Sequence, residues 1–217
     1  MKNVIVLLSG GLDSAVLLWL CKQRFEEVFA ISFDYGQRHL VELKYAKELS
    51  KIAGVCEHIV VKLPHYSLLN DSSLLNLERD LSQSVESSVP QTYVPMRNLI
   101  FLAIASSFAD EKGIENIAIG VHALDSPYPD CRPEFITSAE SAINAGSSYV
   151  SKTKRRISIF APFLGMTKGE IVNLGKSLGV PFEKTYSCYA GTEPPCGKCL
   201  ACTQREKALF EAKITLR

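Results

Sequence analysis

Residues 4–14 read Val4-Ile5-Val6-Leu7-Leu8-Ser9-Gly10-Gly11-Leu12-Asp13-Ser14. An apolar run passes through two glycines into a second apolar stretch at 15–22. A strand that is apolar at every position suits a parallel sheet covered on both faces by helices. Strand, glycine turn and helix together make an anion site. The backbone approaches closely where no Cβ intervenes, and the first helical N–H groups face the ligand with the positive end of the helix dipole. Ser9 and Ser14 add hydroxyl donors, and Asp13 can engage Mg²⁺ or cap the helix.

The alternation continues along the chain. Strands are predicted over 4–8, 28–33, 58–63, 116–121 and 157–160, and helices over 15–22, 40–53, 99–109, 134–145, 167–178 and 206–212. Within 40–53, Leu40, Leu43, Ala46, Leu49 and Ile52 fall near one helical face, and Gly54 stops the helix. Thr167 and Glu170 form a capping box, with Gly179 behind the helix they start. The pattern predicts an open, mainly parallel twisted sheet with helices on both faces and right-handed crossovers. Ligands of such a sheet bind outside the C-terminal strand ends. The Ser-rich connection 64–92 is long enough to be a lid or simply a mobile loop.

With 217 residues, 47% of them hydrophobic and 22% charged, the chain suits one α/β domain with a small appendage. A formal charge of +1 gives no prior for nucleic acid. The local run Lys152, Lys154, Arg155 and Arg156 reads as a solvated edge. No apolar stretch approaches the ~18 residues of a membrane span. The N-terminal run lacks the form of a signal peptide, so a cytoplasmic protein is expected.

Seven cysteines without a signal peptide argue for thiolates and metal rather than disulfides. Cys188, Cys196, Cys199 and Cys202 give C-x7-C-x2-C-x2-C. Four thiolates complete a tetrahedral Zn²⁺ shell and leave no position for water, so the site is read as structural. Iron–sulfur ligation and unrelated thiols are the alternatives. The expected division is an α/β domain carrying the glycine loop at 1–183 and a zinc-binding segment with a terminal helix at 184–217. Cys21 reads as core and Cys56 as structural, while Cys131 reads either as a reactive thiol or as a buried inert one.

Three further strings fall at strand ends: Tyr35-Gly36-Gln37-Arg38-His39, Tyr93-Val94-Pro95-Met96-Arg97-Asn98, and the stretch from Asp125 through Tyr128, Asp130, Cys131 and Arg132 to Phe135. Arg38, Arg97 and Arg132 suit phosphate or carboxylate, and the aromatic rings suit a planar base. Lys168 can reach a phosphate or stay solvated.

The first loop has neither the lysine of a P-loop NTPase nor the spacing of a dinucleotide fold. It resembles the Ser-Gly-Gly-x-Asp-Ser loop of the PP-loop ATP pyrophosphatases, which adenylate a carbonyl or carboxyl oxygen. Ser-Gly-Gly-Leu-Asp-Ser, Tyr-Gly-Gln-Arg-His, Val-Pro-Met-Arg-Asn, Tyr-Pro-Asp-Cys-Arg and the cysteine tail, in that order, resemble one branch closely. That branch is the QueC family of 7-cyano-7-deazaguanine synthases, and the resemblance runs from Val4 to about Arg205.

The resemblance implies an ATP-dependent carbon–nitrogen ligase that takes 7-carboxy-7-deazaguanine and ammonia to 7-cyano-7-deazaguanine. ATP, Mg²⁺ and structural Zn²⁺ would be its cofactors, and a homodimer its state. No membrane and no nucleic acid is expected as a direct partner. ATP is then assigned to Leu8, Ser9, Gly10, Gly11, Leu12, Asp13, Ser14 and Asp34. The deazapurine is assigned to Arg38, His39, Arg97, Asn98, Tyr128, Asp130 and Arg132. Catalysis is assigned to Ser9, Asp13, Ser14, Arg97 and Lys168. The chain departs from the family pattern at Met96, where glycine is usual, at Asp125-Ser126-Pro127, and in a longer, more basic stretch at 146–156. Two other readings fit the residues: a same-fold enzyme adenylating another carboxylate or amide, on a tRNA base or peptide, and a zinc-stabilised nucleotide-binding module without turnover.

Overall fold

The computed structural model describes residues 2–64, 66, 72–76 and 89–215. Strand β1 (Asn3–Leu7) is buried at every position, and its side chains divide between two cores. Val4 and Val6 point into one with Leu8, and Ile5 and Leu7 into the other. Helices α1 (Leu12–Arg24), α2 (Glu42–Ala53) and α6 (Lys168–Ser177) supply the first core, joined by Ala208, Leu209 and Ala212 near the C-terminus. Helices α3 (Arg97–Lys112) and α4 (Pro133–Gly146) supply the second.

The sheet adds β2 (Glu27–Asp34), β3 (Glu57–Lys62), β4 (Asn116–Ala118) and β5 (Ser158–Phe160), in the order β3-β2-β1-β4-β5 and parallel throughout. The order reverses at β1, so the crevice between β1 and β4 opens where the glycine loop leaves the sheet. That is where an open α/β sheet binds its ligand.

Several boundaries and faces differ from expectation. The strand foreseen over 116–121 ends at Ala118, because Ile119 to Val121 turn away to form the crevice wall. Of the pattern read over 40–53, Leu40, just ahead of α2, and Ile52 are 44% and 51% exposed, while Glu42 is buried with Ala46 and Leu49. The cause lies at Gly10, where a Cβ would stand 2.3 Å from the Glu42 carbonyl oxygen and 2.8 Å from Ala46 N. The glycine loop thus docks on the start of α2 and turns Glu42 inward. Cys56, expected to be structural, is exposed just ahead of β3.

The basic stretch 146–156 contains a short helix, α5 (Ser148–Thr153), whose first turn is held by Asp110 of α3. Helix α7 (Leu200–Glu211) begins six residues earlier than the 206–212 pattern suggested, so Cys202 lies in its first turn. Of the connection 64–92, Ser72 and Ser73 are buried; Ser67, Ser82, Ser84, Ser87 and Ser88 lie outside the described residues. Among the described residues no helix is long and apolar enough to cross a membrane.

Candidate active site

Gly11 is the N-cap of α1 and carries no side chain to cap it. The first-turn N–H groups therefore have no partner within the helix and face the crevice mouth. The loop is tied by its own hydroxyls. Ser9 Oγ accepts from Gly11 N at 3.2 Å and meets Ser14 Oγ at 3.1 Å, and Ser14 Oγ donates to the Gly11 carbonyl at 3.0 Å. An incoming phosphate can exchange with these contacts, since hydroxyls rotate.

Asp13 meets the start of α6. Lys168 Nζ lies 2.5 Å from Asp13 Oδ2 and 3.4 Å from His122 Nε2. His122 Nε2 is also 3.6 Å from Asp125 Oδ2. Burial raises the Asp125 carboxyl, with His122 beside it pulling the other way. Asp13 Oδ1 and His122 Nδ1 are buried without a protein partner. A carboxylate oxygen left open beside an anion-binding loop fits Mg²⁺, a hard cation with oxygen ligands.

Behind the loop lies a cavity of about 270 Å³. Arg97, at the start of α3, enters it and donates to Tyr35 Oη at 3.2 Å. Phe33 and Phe101 stack at 3.9 Å along one side, and Tyr128 and Tyr189 line another. Asn98 is fixed by Asp130, whose Oδ2 accepts from Asn98 N at 3.0 Å, and by Cys131 Sγ at 3.2 Å. Burial pushes the Cys131 thiol up to about 12, so Cys131 is the inert buried cysteine of the two readings.

Of the residues singled out from sequence, the cavity brings together Leu8, Ser9, Asp13, Ser14, His39, Arg97, Asn98 and Tyr128. Lys168 joins through Asp13. Asp130 is buried behind Asn98. Asp34 turns to Gly36 N, Arg38 donates to the Ser73 carbonyl, and Arg132 donates to the Ser126 carbonyl at 2.9 Å; none of the three lines the cavity. The 146–156 stretch is also remote from it, so that departure from pattern does not touch the crevice. Glu42, Thr92 and Tyr189 line the cavity without having been foreseen. His122 carried a usable signal, directly after the strand predicted over 116–121; Glu42 was masked by the apolar pattern of its own helix.

The four tail cysteines bring their sulfur atoms within 4.8 Å of one another. Cys196 N donates to Cys188 Sγ at 3.3 Å, the backbone support that a thiolate knuckle uses. The cluster packs against the site. Tyr186 N donates to the Gly10 carbonyl at 2.9 Å, and a Cβ at Gly191 would stand 2.4 Å from the Arg38 carbonyl oxygen. A metal there would fix the segment that braces the glycine loop.

A family model described as "Queuosine biosynthesis protein QueC" matches residues 3–213. The chain belongs to the QueC family. Curated members share high identity with this QueC-family chain. The 7-cyano-7-deazaguanine synthase of Aquifex aeolicus is 64% identical over 209 residues, 95% of this chain and 96% of that one. The enzyme of the same name from Sulfurihydrogenibium sp. is 62% identical over 211 residues, 97% and 95% of the two chains. Among solved structures, NMN synthetase from Francisella tularensis superposes with a TM-score of 0.52 at 14% identity, over 100% of this chain and 78% of that one. This last likeness concerns the fold alone, the open parallel α/β sheet.

Proposed function

We propose that this chain is an ATP-dependent carbon–nitrogen ligase that converts 7-carboxy-7-deazaguanine and ammonia to 7-cyano-7-deazaguanine. Family membership and near full-length identity to enzymes of that name support the reaction. The observation that carries it physically is the meeting of the Ser9–Ser14 loop with the Arg97-bearing aromatic cavity at one crevice.

In this reading the N-terminus of α1 and the Ser9 and Ser14 hydroxyls hold the pyrophosphate of ATP. Arg97 steers the substrate carboxylate, and the Phe33, Phe101, Tyr128 and Tyr189 rings flank the flat bicyclic base. Mg²⁺ held by Asp13 would neutralise charge on the phosphates. When ATP enters, Lys168 leaves Asp13 for the departing pyrophosphate, where a fixed cation stabilises the developing charge.

The carboxylate oxygen attacks the α-phosphate and pyrophosphate leaves. Ammonia displaces AMP to give the amide. A second adenylation, on the amide oxygen, lets AMP depart again and leaves the nitrile. The cysteine cluster is read as a closed Zn²⁺ site that braces the loop and takes no chemical part. The family resemblance supports a cytoplasmic homodimer using free ammonia. The test is mass spectrometry of purified protein incubated with 7-carboxy-7-deazaguanine, ammonium and Mg·ATP. The nitrile is expected. Tight ATP binding without product would favour a binding module, and turnover only with added tRNA or peptide would favour another substrate.

A further inference from the structure

Pyrophosphate and carboxylate require cations and N–H donors, yet one wall of the cavity carries acceptors. Glu42 and His39 both line it and are 9% and 7% exposed. Glu42 Oε1 accepts from Gln37 Nε2 at 3.1 Å and lies 3.4 Å from His39 Nε2. Gln37 is pinned in turn: its Oε1 accepts from Tyr35 N at 2.9 Å, and its Nε2 donates to the Phe33 carbonyl at 3.0 Å. His39 Nδ1 is buried and has no protein partner. With Nε2 carrying the proton toward Glu42, Nδ1 keeps an unused lone pair. The same corner adjoins the glycine loop, which rests on the Glu42 backbone at Gly10.

We propose that Glu42 and His39 form the binding site for the nitrogen substrate, ammonia, and that Glu42 accepts its proton when the nitrogen attacks the activated carboxylate. The proposal rests on the nitrile-forming reading of the site. Ammonia is a small donor with three N–H bonds, and a carboxyl oxygen beside an imidazole lone pair offers the acceptors it needs. In the step itself the ammonia lone pair forms the C–N bond at the acyl carbon. The C–O bond to AMP breaks and AMP leaves with its electron pair. The cationic nitrogen then gives one proton to the Glu42 carboxylate, leaving a neutral amide, and Glu42 returns that proton to solvent. Making the nitrile strips two further protons from the same nitrogen, so an acceptor beside it is used repeatedly.

The charged and titratable groups facing Glu42 are His39, Arg97 and Tyr35. Burial raises Glu42 to about 8, against smaller downward effects of the Gln37 bond and Arg97. Burial, then Arg97, holds His39 down at about 3. With Glu42 raised only to about 8, a share of it is carboxylate at neutral pH and that share takes the proton, while His39 stays neutral; a base with a pKa near the working pH is the more effective one.

The test separates the two half-reactions. Pyrophosphate exchange into ATP, dependent on 7-carboxy-7-deazaguanine and run without ammonia, reads adenylation alone. Formation of amide and nitrile with ammonium reads the whole sequence. In Glu42→Gln, product formation is expected to fall about 100-fold more than exchange, with a raised KM for ammonium. Glu42→Asp restores a carboxylate and should recover part of that difference; it also serves if the glutamine variant does not fold. An equal fall in both rates, or product at the wild-type rate, would overturn the proposal. Absence of substrate-dependent exchange in the wild-type protein would instead overturn the nitrile-forming reading, and the proposal with it.

Discussion

Lys168 Nζ sits 2.5 Å from Asp13 Oδ2, which ties the capped start of α6 to the glycine loop across the crevice mouth. Both side chains are shielded from solvent, at 16% and 23% exposed, so the pair holds Lys168 at the crevice mouth, the position from which the proposed reaction has it meet pyrophosphate. Lys168→Met should lower turnover by about 10²–10³, the usual loss on removing one charge-stabilising group. Its melting temperature should stay close to that of the wild type. Steady-state kinetics with a thermal melt checks both; full activity in the variant would remove Lys168 from the mechanism.

Met96 adopts φ 55°, a left-handed conformation, at the N-cap of α3, and is 53% exposed. Glycine, the residue that the family resemblance leads one to expect at this position, adopts such a backbone freely. A side chain strains this backbone and gains little packing in return. Met96→Gly should stabilise the fold by about 0.5–1 kcal/mol, which is roughly 1–4 °C in Tm for a chain of this size. Calorimetry reads it directly.

The buried Glu42 gives the fold a pH dependence of known sign. Its carboxyl is raised from 4.5 to about 8, so the folded state holds a proton that the unfolded chain has released. The contribution is fully present below about 4.5 and is lost as pH rises through about 8. Glu42→Gln, which keeps a polar partner for Gln37 and has no charge to bury, should gain on the wild type by about 1–3 kcal/mol at the upper end of that window. Urea unfolding of both proteins at several pH values would test it; parallel curves would contradict the buried acid.

Cys199→Ser should abolish the metal and lower Tm strongly, since a closed thiolate site contributes several kcal/mol of folding free energy. Elemental analysis of the wild type should find one zinc per chain and no visible absorbance from iron–sulfur. A full metal complement in the variant would refute the four-cysteine site.

How much of this was legible beforehand depended on the range of the interaction. β1, the glycine turn and the cysteine spacing are local patterns, and all stand where the sequence predicts them. The capping box at Thr167 and Glu170 is equally local and is made by both side chains. Glu42 was invisible because its inward rotation is imposed by Gly10, 32 positions away in sequence, against the apolar pattern of α2. Arg38 and Arg132 show the converse. Residue type suggests anion binding, whereas Arg38 Nη1 donates to the Ser73 carbonyl and Arg132 Nε to the Ser126 carbonyl, and neither lines the cavity. Loops carry the right chemistry in sequence, and only packing decides which of their side chains face the crevice.

The central claim is that the carboxylate is activated by transfer to AMP at the Ser9–Ser14 loop. It is tested most directly with 7-carboxy-7-deazaguanine labelled with ¹⁸O at both carboxylate oxygens. Turnover with ammonium and Mg·ATP should place both labels in AMP, one per AMP molecule, alongside unlabelled pyrophosphate and the nitrile. Label recovered in inorganic phosphate or water, with AMP unlabelled, would contradict the account.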